Sequence, residues 1–431
     1  MNNLYLIINI LVWLITFFYY QFKRKCFDVG SLLIFSFLFY AINSYLHFNT
    51  TFVFSYNDLT LFPFIYLYII LMIIMWPVLK YTKHREHQIQ KPSMSLLYVI
   101  IFIYMVSSVI RFASSLDTIY EGIFTILNEP MGGRDIYRDT MDSSYNLGDG
   151  VIENIFAIFS NIFSDIGILL FFYYLTLKNK NKYIVIGLTF SVVLSIFSPI
   201  AQSLRGPAVD RLLTIIIAYF TLRRFIPHEI NKKIKIWGIV IIFIFTIPML
   251  AITVSRFGER ESGTKGSLYA YIGQQNLNFN NYAFDNNGLR YGDRTFPLFK
   301  TLLGFDDVPR NFWERRIKYP NLKINDEVFI GFVGDFLLDF GPLISTIIFI
   351  VFTIYALYKT KIRNNVILFH QLIFLYFIMC LCIQGGIKLF PFADIGGNLR
   401  LIVFVLVYFA FKLDYKNSSN HQKINLINYG N

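Results

Sequence analysis

Hydrophobic residues run in long blocks along this chain, and short polar segments separate the blocks. Eleven blocks approach the roughly 20 residues that an α-helix needs to cross a bilayer. They lie at about 2–20, 28–48, 61–79, 94–113, 154–177, 183–203, 207–222, 236–254, 332–358, 365–386 and 398–412. This pattern predicts an all-α polytopic integral membrane protein with about 11 transmembrane helices.

The charges between the blocks predict the orientation. Every second connection is short and rich in lysine and arginine, which is typical of cytoplasmic loops. These connections read "KRK" (23–25), "KYTKHREHQIQK" (80–91), "KNKNK" (178–182), "RRFIPHEINKKIK" (223–235) and "KTKIR" (359–363). The amino terminus is then outside and the carboxy terminus cytoplasmic. The first block lacks the basic start and the cleavage site of a signal peptide, so we expect it to be retained.

Two of the outer connections are much longer than a turn requires. They cover residues 114–153 and 255–331, and the second is rich in tyrosine, asparagine and arginine. We expect this second segment to form a folded extracytoplasmic cap. The predicted organisation is therefore eight helices within 1–254, the cap at 255–331, three helices within 332–412, and a tail at 413–431.

Composition excludes several classes of protein. The chain is 55% hydrophobic and 15% charged, which is too apolar for a soluble fold. Its net charge is +12, but the cations do not gather in one domain among exposed aromatic residues, so no nucleic-acid partner is predicted. Cys26, Cys380 and Cys382 have neither a metal-ligand spacing nor a disulfide framework, and we expect them to pack as small apolar residues.

Cations on the predicted outer face run against the positive-inside bias, and most of them are arginines. A guanidinium group binds phosphate or carboxylate through two parallel hydrogen bonds and stays charged. Such a set beside a bilayer suits an anionic lipid headgroup. The arginines are Arg111, Arg205, Arg211, Arg256, Arg260, Arg290, Arg294, Arg310, Arg315, Arg316 and Arg400.

The segment "SLRGPAVDRL" (203–212) contains the first candidate site. Arg205 directly precedes a helix with Pro207 in its first turn, and helix amino termini attract phosphate. Gly206 would let a ligand approach the backbone. The alternative for Arg205 is snorkelling to the interface. Asp210 and Arg211 point about 100° apart on a helix, so we expect them to pair with other helices, and a structural role is as well supported as substrate binding.

The segment "SRFGERES" (255–262) is the second candidate. Arg256 and Arg260 are four residues apart and share a helical face, so together they could clamp one phosphate. Glu261, near hydrocarbon and cations, could take a proton from a sugar hydroxyl if burial raises its pKa. The alternative is a solvated charged loop.

The segment "GFVGDFLLDFGPL" (331–343) is the third candidate. Asp335 and Asp339 share one helical face, where they could bind a sugar or a cation, or pair with the outer-face arginines. Arg290, Arg294 and Arg400 complete the predicted substrate-binding set.

These features together resemble a known family, the oligosaccharide repeat-unit polymerases, also called O-antigen or Wzy-type polymerases. The matching pieces are the many-span topology with a dominant outer loop late in the chain, "SLRG" on a short outer hairpin, "SRFGERE" before the large loop and "GFVGDFLLDFG" after it. The resemblance covers nearly the whole chain, although its motifs are short.

The resemblance implies a GT-C-like glycosyltransferase of the bacterial inner membrane. Such an enzyme joins glycans carried on undecaprenyl pyrophosphate into O-antigen or capsule at the outer face, without a nucleotide sugar, metal or other cofactor. Arg205, Arg256 and Arg260 would stabilise the leaving group, and Glu261, with Asp335 as the fallback, would be the base. The implied partners are the lipid-linked oligosaccharide, membrane lipids, and a chain-length regulator and flippase of the same pathway.

Three alternatives remain. A flippase for lipid-linked oligosaccharides would also need arginines, but transporters are often built from two related halves, and no such repeat is present. Glycosyltransferases that use a lipid-phosphate sugar normally carry acids in their first outer loop, where this chain has only Asp58. An O-antigen ligase differs in its acceptor. Such ligases are usually described with a histidine in the large loop, and this loop has none.

Overall fold

The computed structural model describes residues 1–50, 56–83, 88–129, 131–143, 151–257, 263–324, 328–389 and 391–428, and of a few of these, Arg256 among them, only the backbone. The described residues are mostly helical. They contain one small parallel sheet, in which β1 (Gln88–Ile89) pairs with β2 (Val366–Ile367). The predicted all-α class is therefore confirmed.

Sixteen helices follow one another along the described chain. The first eight are α1 (Asn2–Arg24), α2 (Val29–Thr50), α3 (Leu61–Lys83), α4 (Met94–Ser114), α5 (Leu116–Asn128), α6 (Gly132–Ser143), α7 (Val151–Thr176) and α8 (Lys182–Ala201). The remaining eight are α9 (Arg205–Leu222), α10 (His228–Phe257), α11 (Gly263–Tyr282), α12 (Pro297–Leu302), α13 (Phe312–Lys318), α14 (Gly331–Lys359), α15 (Phe369–Ile387) and α16 (Asp394–Asn428).

Ten helices in the described part of the chain are long and apolar enough to cross a membrane, which supports a multi-pass membrane protein. They are α1 to α4, α7, α8, α10, α14, α15 and α16. The eleventh predicted span, 207–222, is also helical but is not among the ten. As α9 it carries Arg205, Asp210 and Arg211, and the last two are buried inside the bundle rather than facing lipid. Length and composition support ten of the predicted spans, and the span at this helix stays a prediction.

The two long outer connections contain helices. Residues 114–153 contain α5 and α6, and α5 packs against α8 and α10. The first part of the predicted cap belongs to the bundle instead, because α11 packs along α2. A Cβ on Gly273 would come within 2.4 Å of the Asn43 carbonyl oxygen, so the two backbones meet closely. The Ser44 hydroxyl donates to the Gly273 carbonyl at 2.7 Å across this contact.

The helix α14 is bent back on itself. Gly341 has φ 76° and ψ 165°, a conformation that glycine adopts far more easily than other residues. It divides α14 into an arm, residues 331–340, and a span, residues 342–359. The Phe336 ring on the arm lies 5.1 Å from the Phe349 ring on the span, so the arm folds against the span. The prediction of one continuous span over 332–358 was wrong at Gly341.

The end of α15 lies below the end of its neighbour α2. A Cβ on Gly386 would touch Phe37 and Tyr40 of α2, at 3.2 and 3.1 Å. The helix α2 continues ten residues further, to Thr50, which is about 15 Å at 1.5 Å per residue. Backbone that leaves the helical state at such a depth must be covered by protein or line a polar cavity.

The polar region at the end of α15 is called the recess here. It is bounded by the start of α9, by α11 and by the segment that joins α15 to α16. Its central side chains are Arg205, Asp210, Tyr271, Lys388 and Arg400.

The two ends of the bundle differ in character. At one end, the basic connections contact one another: Arg223 donates to the Phe27 carbonyl, and Ser93 N donates to Asp414 Oδ2 at 3.0 Å. The recess lies at the opposite end, which we call the recess end. There, Asp394 N donates to the Arg294 carbonyl at 3.0 Å.

The native cysteines allow a test of the predicted orientation. Cys26 is exposed at the basic end, Cys380 and Cys382 are buried, and Leu303 at the recess end is 77% exposed. We expect a membrane-impermeant maleimide to label Leu303→Cys in right-side-out vesicles, and to reach Cys26 only after permeabilisation. Labelling is measured as a mass shift on a gel. Labelling of Cys26 in sealed vesicles would show that the positive-inside prediction is wrong.

Candidate functional site

Arg205 begins α9 after a tight reversal. The helix α8 ends at Ala201, and Ser203 in the reversal has φ 55°. Arg205 Nη1 donates to Thr253 Oγ1 of α10 at 3.0 Å. The Arg205 guanidinium carbon lies 5.6 Å from the centre of the Tyr271 ring on α11. The first turn of α9 therefore presents a partly exposed cation next to an aromatic ring.

A second cation, Lys388, lies at the same ring. Its ammonium nitrogen is 6.0 Å from the centre of the Tyr271 ring and 5.4 Å from that of Phe329, and it donates to the Tyr271 hydroxyl. A Cβ on Gly206 would lie only 2.5 Å from this nitrogen. The glycine thus makes room for the lysine. Lys388 was not predicted from the sequence, because one lysine at the end of an apolar block belongs to no motif.

Asp210 lies further along α9 and faces the same region. Asp210 is 7% exposed, and the positive charges of Lys388, Arg400 and Arg211 act on its carboxylate. Within the described part of the chain, the Asp210 carboxylate makes no hydrogen bond and no ion pair. Only its backbone carbonyl is engaged, in part by Gln384 Nε2 at 3.0 Å. Asp210 therefore faces cations without contacting them.

Asp165 of α7 is the centre of a buried charge cluster. It is 0% exposed, its Oδ1 lies 2.5 Å from Arg211 Nη1, and its Oδ2 lies 3.6 Å from Arg400 Nη1. The Tyr376 hydroxyl donates to its carbonyl at 3.0 Å. Arg211 pairs with another helix, as expected. Asp165 was not among the predicted site residues, although a carboxylate inside the apolar block 154–177 is a signal in itself.

The acids of the third candidate segment, residues 331–343, form a separate set of buried ion pairs. Arg290 Nε lies 2.6 Å from Asp339 Oδ1, and Arg290 Nη2 lies 3.1 Å from Asp335 Oδ1. Arg294 Nε is also 3.1 Å from Asp335 Oδ1. Asp339 Oδ2 accepts hydrogen bonds from Thr295 N and Thr295 Oγ1 at 2.9 and 2.7 Å. Of the possibilities that the spacing left open, the structure has the pairing with arginines. Because Asp335 pairs with two arginines, it is a poor fallback base.

Further ion pairs lie within the cap, and one joins it to α16. The Asp293 carboxylate accepts from Tyr319 at 2.7 Å and pairs with Lys318 at 2.9 Å and with Lys300. Burial by itself raises the pKa of Asp293, but the hydrogen bonds from these three residues outweigh it and hold the pKa below its usual value. Arg315 of the cap lies 2.6 Å from Asp394 at the start of α16.

The structure describes only the beginning of the second candidate segment, residues 255–262. Arg256 belongs to the last turn of α10, where the backbone alone is described, and Arg260 and Glu261 lie outside the described residues. The proposed clamp and base therefore remain predictions.

No protein-family model matches the chain, and the comparisons with curated proteins and with solved structures give no significant match.

The buried cluster at Arg290 predicts a specific stability loss. Arg290→Met removes the cation that Asp335 and Asp339 share, and removing one partner of a buried pair costs about 3–5 kcal/mol. Lys323→Met removes the exposed pair with Asp285, for which we expect less than about 1 kcal/mol. Thermal unfolding in detergent, followed by tryptophan fluorescence, compares the two. Equal, small shifts would contradict a stabilising role for the Arg290 cluster.

Proposed function

We propose that this protein is a membrane glycosyltransferase that polymerises oligosaccharide repeat units carried on undecaprenyl pyrophosphate. The product is a surface polysaccharide such as O-antigen or capsule, and the reaction takes place at the outer face of the bacterial inner membrane. The observation that carries the proposal is the pair of cations, Arg205 and Lys388, on the Tyr271 ring at the start of α9.

The chemistry of the reaction requires such cations. During transfer, the bond between the anomeric carbon and the pyrophosphate oxygen breaks, and the electron pair leaves with the pyrophosphate. Fixed cations in a site that excludes water stabilise this developing charge strongly. The N–H groups in the first turn of α9 add further positive potential at the same place. Arg205 and Lys388 are thus suited to hold the leaving group, with Arg256 as a predicted third cation.

The depth of the recess supports a lipid-linked donor. The end of α15 lies about 15 Å below the end of α2, so a headgroup attached to a membrane-embedded tail can enter at this level. The cap provides surfaces for the glycan. It contains a polar cavity of about 200 Å³ whose lining includes Arg316, Tyr319 and Lys323.

The position of the charges favours an enzyme over a flippase. A flippase must move the pyrophosphate through the bundle, and its path needs polar groups from end to end. Below Asp165, side chains such as Leu169, Leu372 and Met379 belong to the buried apolar core. An O-antigen ligase remains the second candidate, because it acts on the same kind of donor and differs only in its acceptor.

The proposal predicts a defined surface phenotype. We expect cells that lack the gene to carry glycan of a single repeat unit. Wild-type protein restores the laddered polymer, whereas Arg205→Ala or Lys388→Ala lowers it strongly, because the leaving group loses a fixed charge. Lys178→Ala, which removes an exposed cation at the basic end, serves as the matched control. A carbohydrate gel and an immunoblot for membrane insertion provide the readout.

Other phenotypes of the deletion would identify the alternatives. An unchanged ladder rules out the polymerase function. Lipid-linked polymer that is not attached to its acceptor indicates a ligase. Complete loss of surface repeat units, with lipid-linked single units accumulating inside, indicates a flippase.

Gly206→Ala tests the position of Lys388 without removing a charge. The new methyl group would meet the Lys388 ammonium at 2.5 Å, and this flexible end can move away. We expect a normal fold and a KM for the lipid-linked donor raised about tenfold, the value of one lost charge-assisted contact. Gly238→Ala is the control, because its Cβ would meet no atom within 4 Å. An unchanged KM would mean that the lysine position does not matter for donor binding.

A further inference from the structure

One carboxylate in the recess differs from the other acids near it. Asp165 pairs with Arg211, and Asp335 and Asp339 pair with Arg290. An ion-paired carboxylate is a weak base, because the cation stabilises its charged form. Asp210, by contrast, makes no hydrogen bond or ion pair through its carboxylate within the described residues. Among the described acids at the recess, Asp210 is the one whose oxygens remain available to a substrate hydroxyl.

The surroundings hold the backbone of α9 in place at Asp210. Gln384 Nε2 donates to the Asp210 carbonyl at 3.0 Å and to Thr214 Oγ1 at 2.5 Å, which ties this turn of α9 to α15. Arg211, the next residue, points to Asp165 on α7. Neighbours on a helix point about 100° apart, so Asp210 does not share the direction of Arg211. Asp210 shares a helical face with Gly206, where Lys388 lies.

The spacing along α9 separates the two tasks of a glycosyl transfer. Arg205 is at the first turn of α9, and Asp210 follows five residues later, about 7.5 Å along the helix axis. Lys388 lies against Gly206, which is four residues before Asp210 and on the same face of α9. A sugar ring whose pyrophosphate lies at Arg205 and Lys388 would therefore have Asp210 within reach of an incoming hydroxyl.

We infer that Asp210 is the general base of the reaction, an inference that rests on the proposed function. The acceptor hydroxyl oxygen forms a bond to the anomeric carbon of the donor while its proton passes to the Asp210 carboxylate. The bond from that carbon to the pyrophosphate oxygen breaks, and the pyrophosphate departs with the electron pair. Asp210 takes the role that the sequence assigned to Glu261.

The test uses the purified full-length protein in nanodiscs. Its substrate is the undecaprenyl-pyrophosphate-linked repeat unit extracted from the host strain without this gene. We expect Asp210→Asn to lower kcat by about 100-fold or more, the usual contribution of general base catalysis. The KM for the donor and the unfolding temperature should change little, because within the described residues the carboxylate makes no hydrogen bond or ion pair that the amide loses.

Three matched variants complete the comparison. Asp165→Asn breaks the buried pair with Arg211 and should lower the unfolding temperature. Asp306→Asn, exposed in the cap, should leave both readouts unchanged. Glu261→Gln tests the other candidate base directly.

The outcomes distinguish a failure of the proposed function from a failure of the inference about Asp210. Wild-type protein that does not elongate the lipid-linked unit overturns the proposed function. Active wild type, with Asp210→Asn within a few-fold of it and Glu261→Gln inactive, overturns the inference about Asp210 alone. If Asp210→Asn does not fold, Asp210→Ala with added formate decides instead. Formate that restores kcat supports Asp210 as the base, and a folded variant without rescue counts against it.

Discussion

Enclosing charge within an apolar bundle is the constraint on which the rest of this structure depends. A buried ion costs several kcal/mol unless a partner of opposite sign lies beside it. Asp165 meets this condition for Arg211, at 2.5 Å, and lies beside Arg400 as well. The pairing allows α9, with its three charged residues, to be held inside the bundle. Because α9 is held there, its first turn can present Arg205 at a recessed site.

Two glycines allow close or bent backbone among the elements near the recess. Gly273 lets α11 approach α2, and Gly341 lets the arm of α14 fold back on its span. These two elements, together with the short α15, place irregular backbone well below the end of α2. Such backbone is stable in a membrane protein only where protein covers it or where it lines a polar cavity. The recess is thus a consequence of packing and also the site of the proposed chemistry.

The buried acids that the structure describes at the recess end include two groups. Asp335 and Asp339 tie the cap to the arm through Arg290, and Asp293 extends this attachment within the cap. They supply rigidity, because each is engaged by cations. Asp210 faces cations at a greater distance. Fixed cations beside an available carboxylate are the two parts that the proposed glycosyl transfer needs, charge stabilisation and proton acceptance.

The sequence alone determined the membrane class and most helix positions, because apolar blocks and basic connections are local features. The block 94–113, for example, corresponds to α4, Met94–Ser114. The tertiary structure decided what depends on contacts between distant segments: that α11 joins the bundle and that Lys388 meets Gly206. The spacing of Asp335 and Asp339 predicted a shared face. Only the fold showed that arginines occupy it, because the pairing partner of a charge is set in three dimensions.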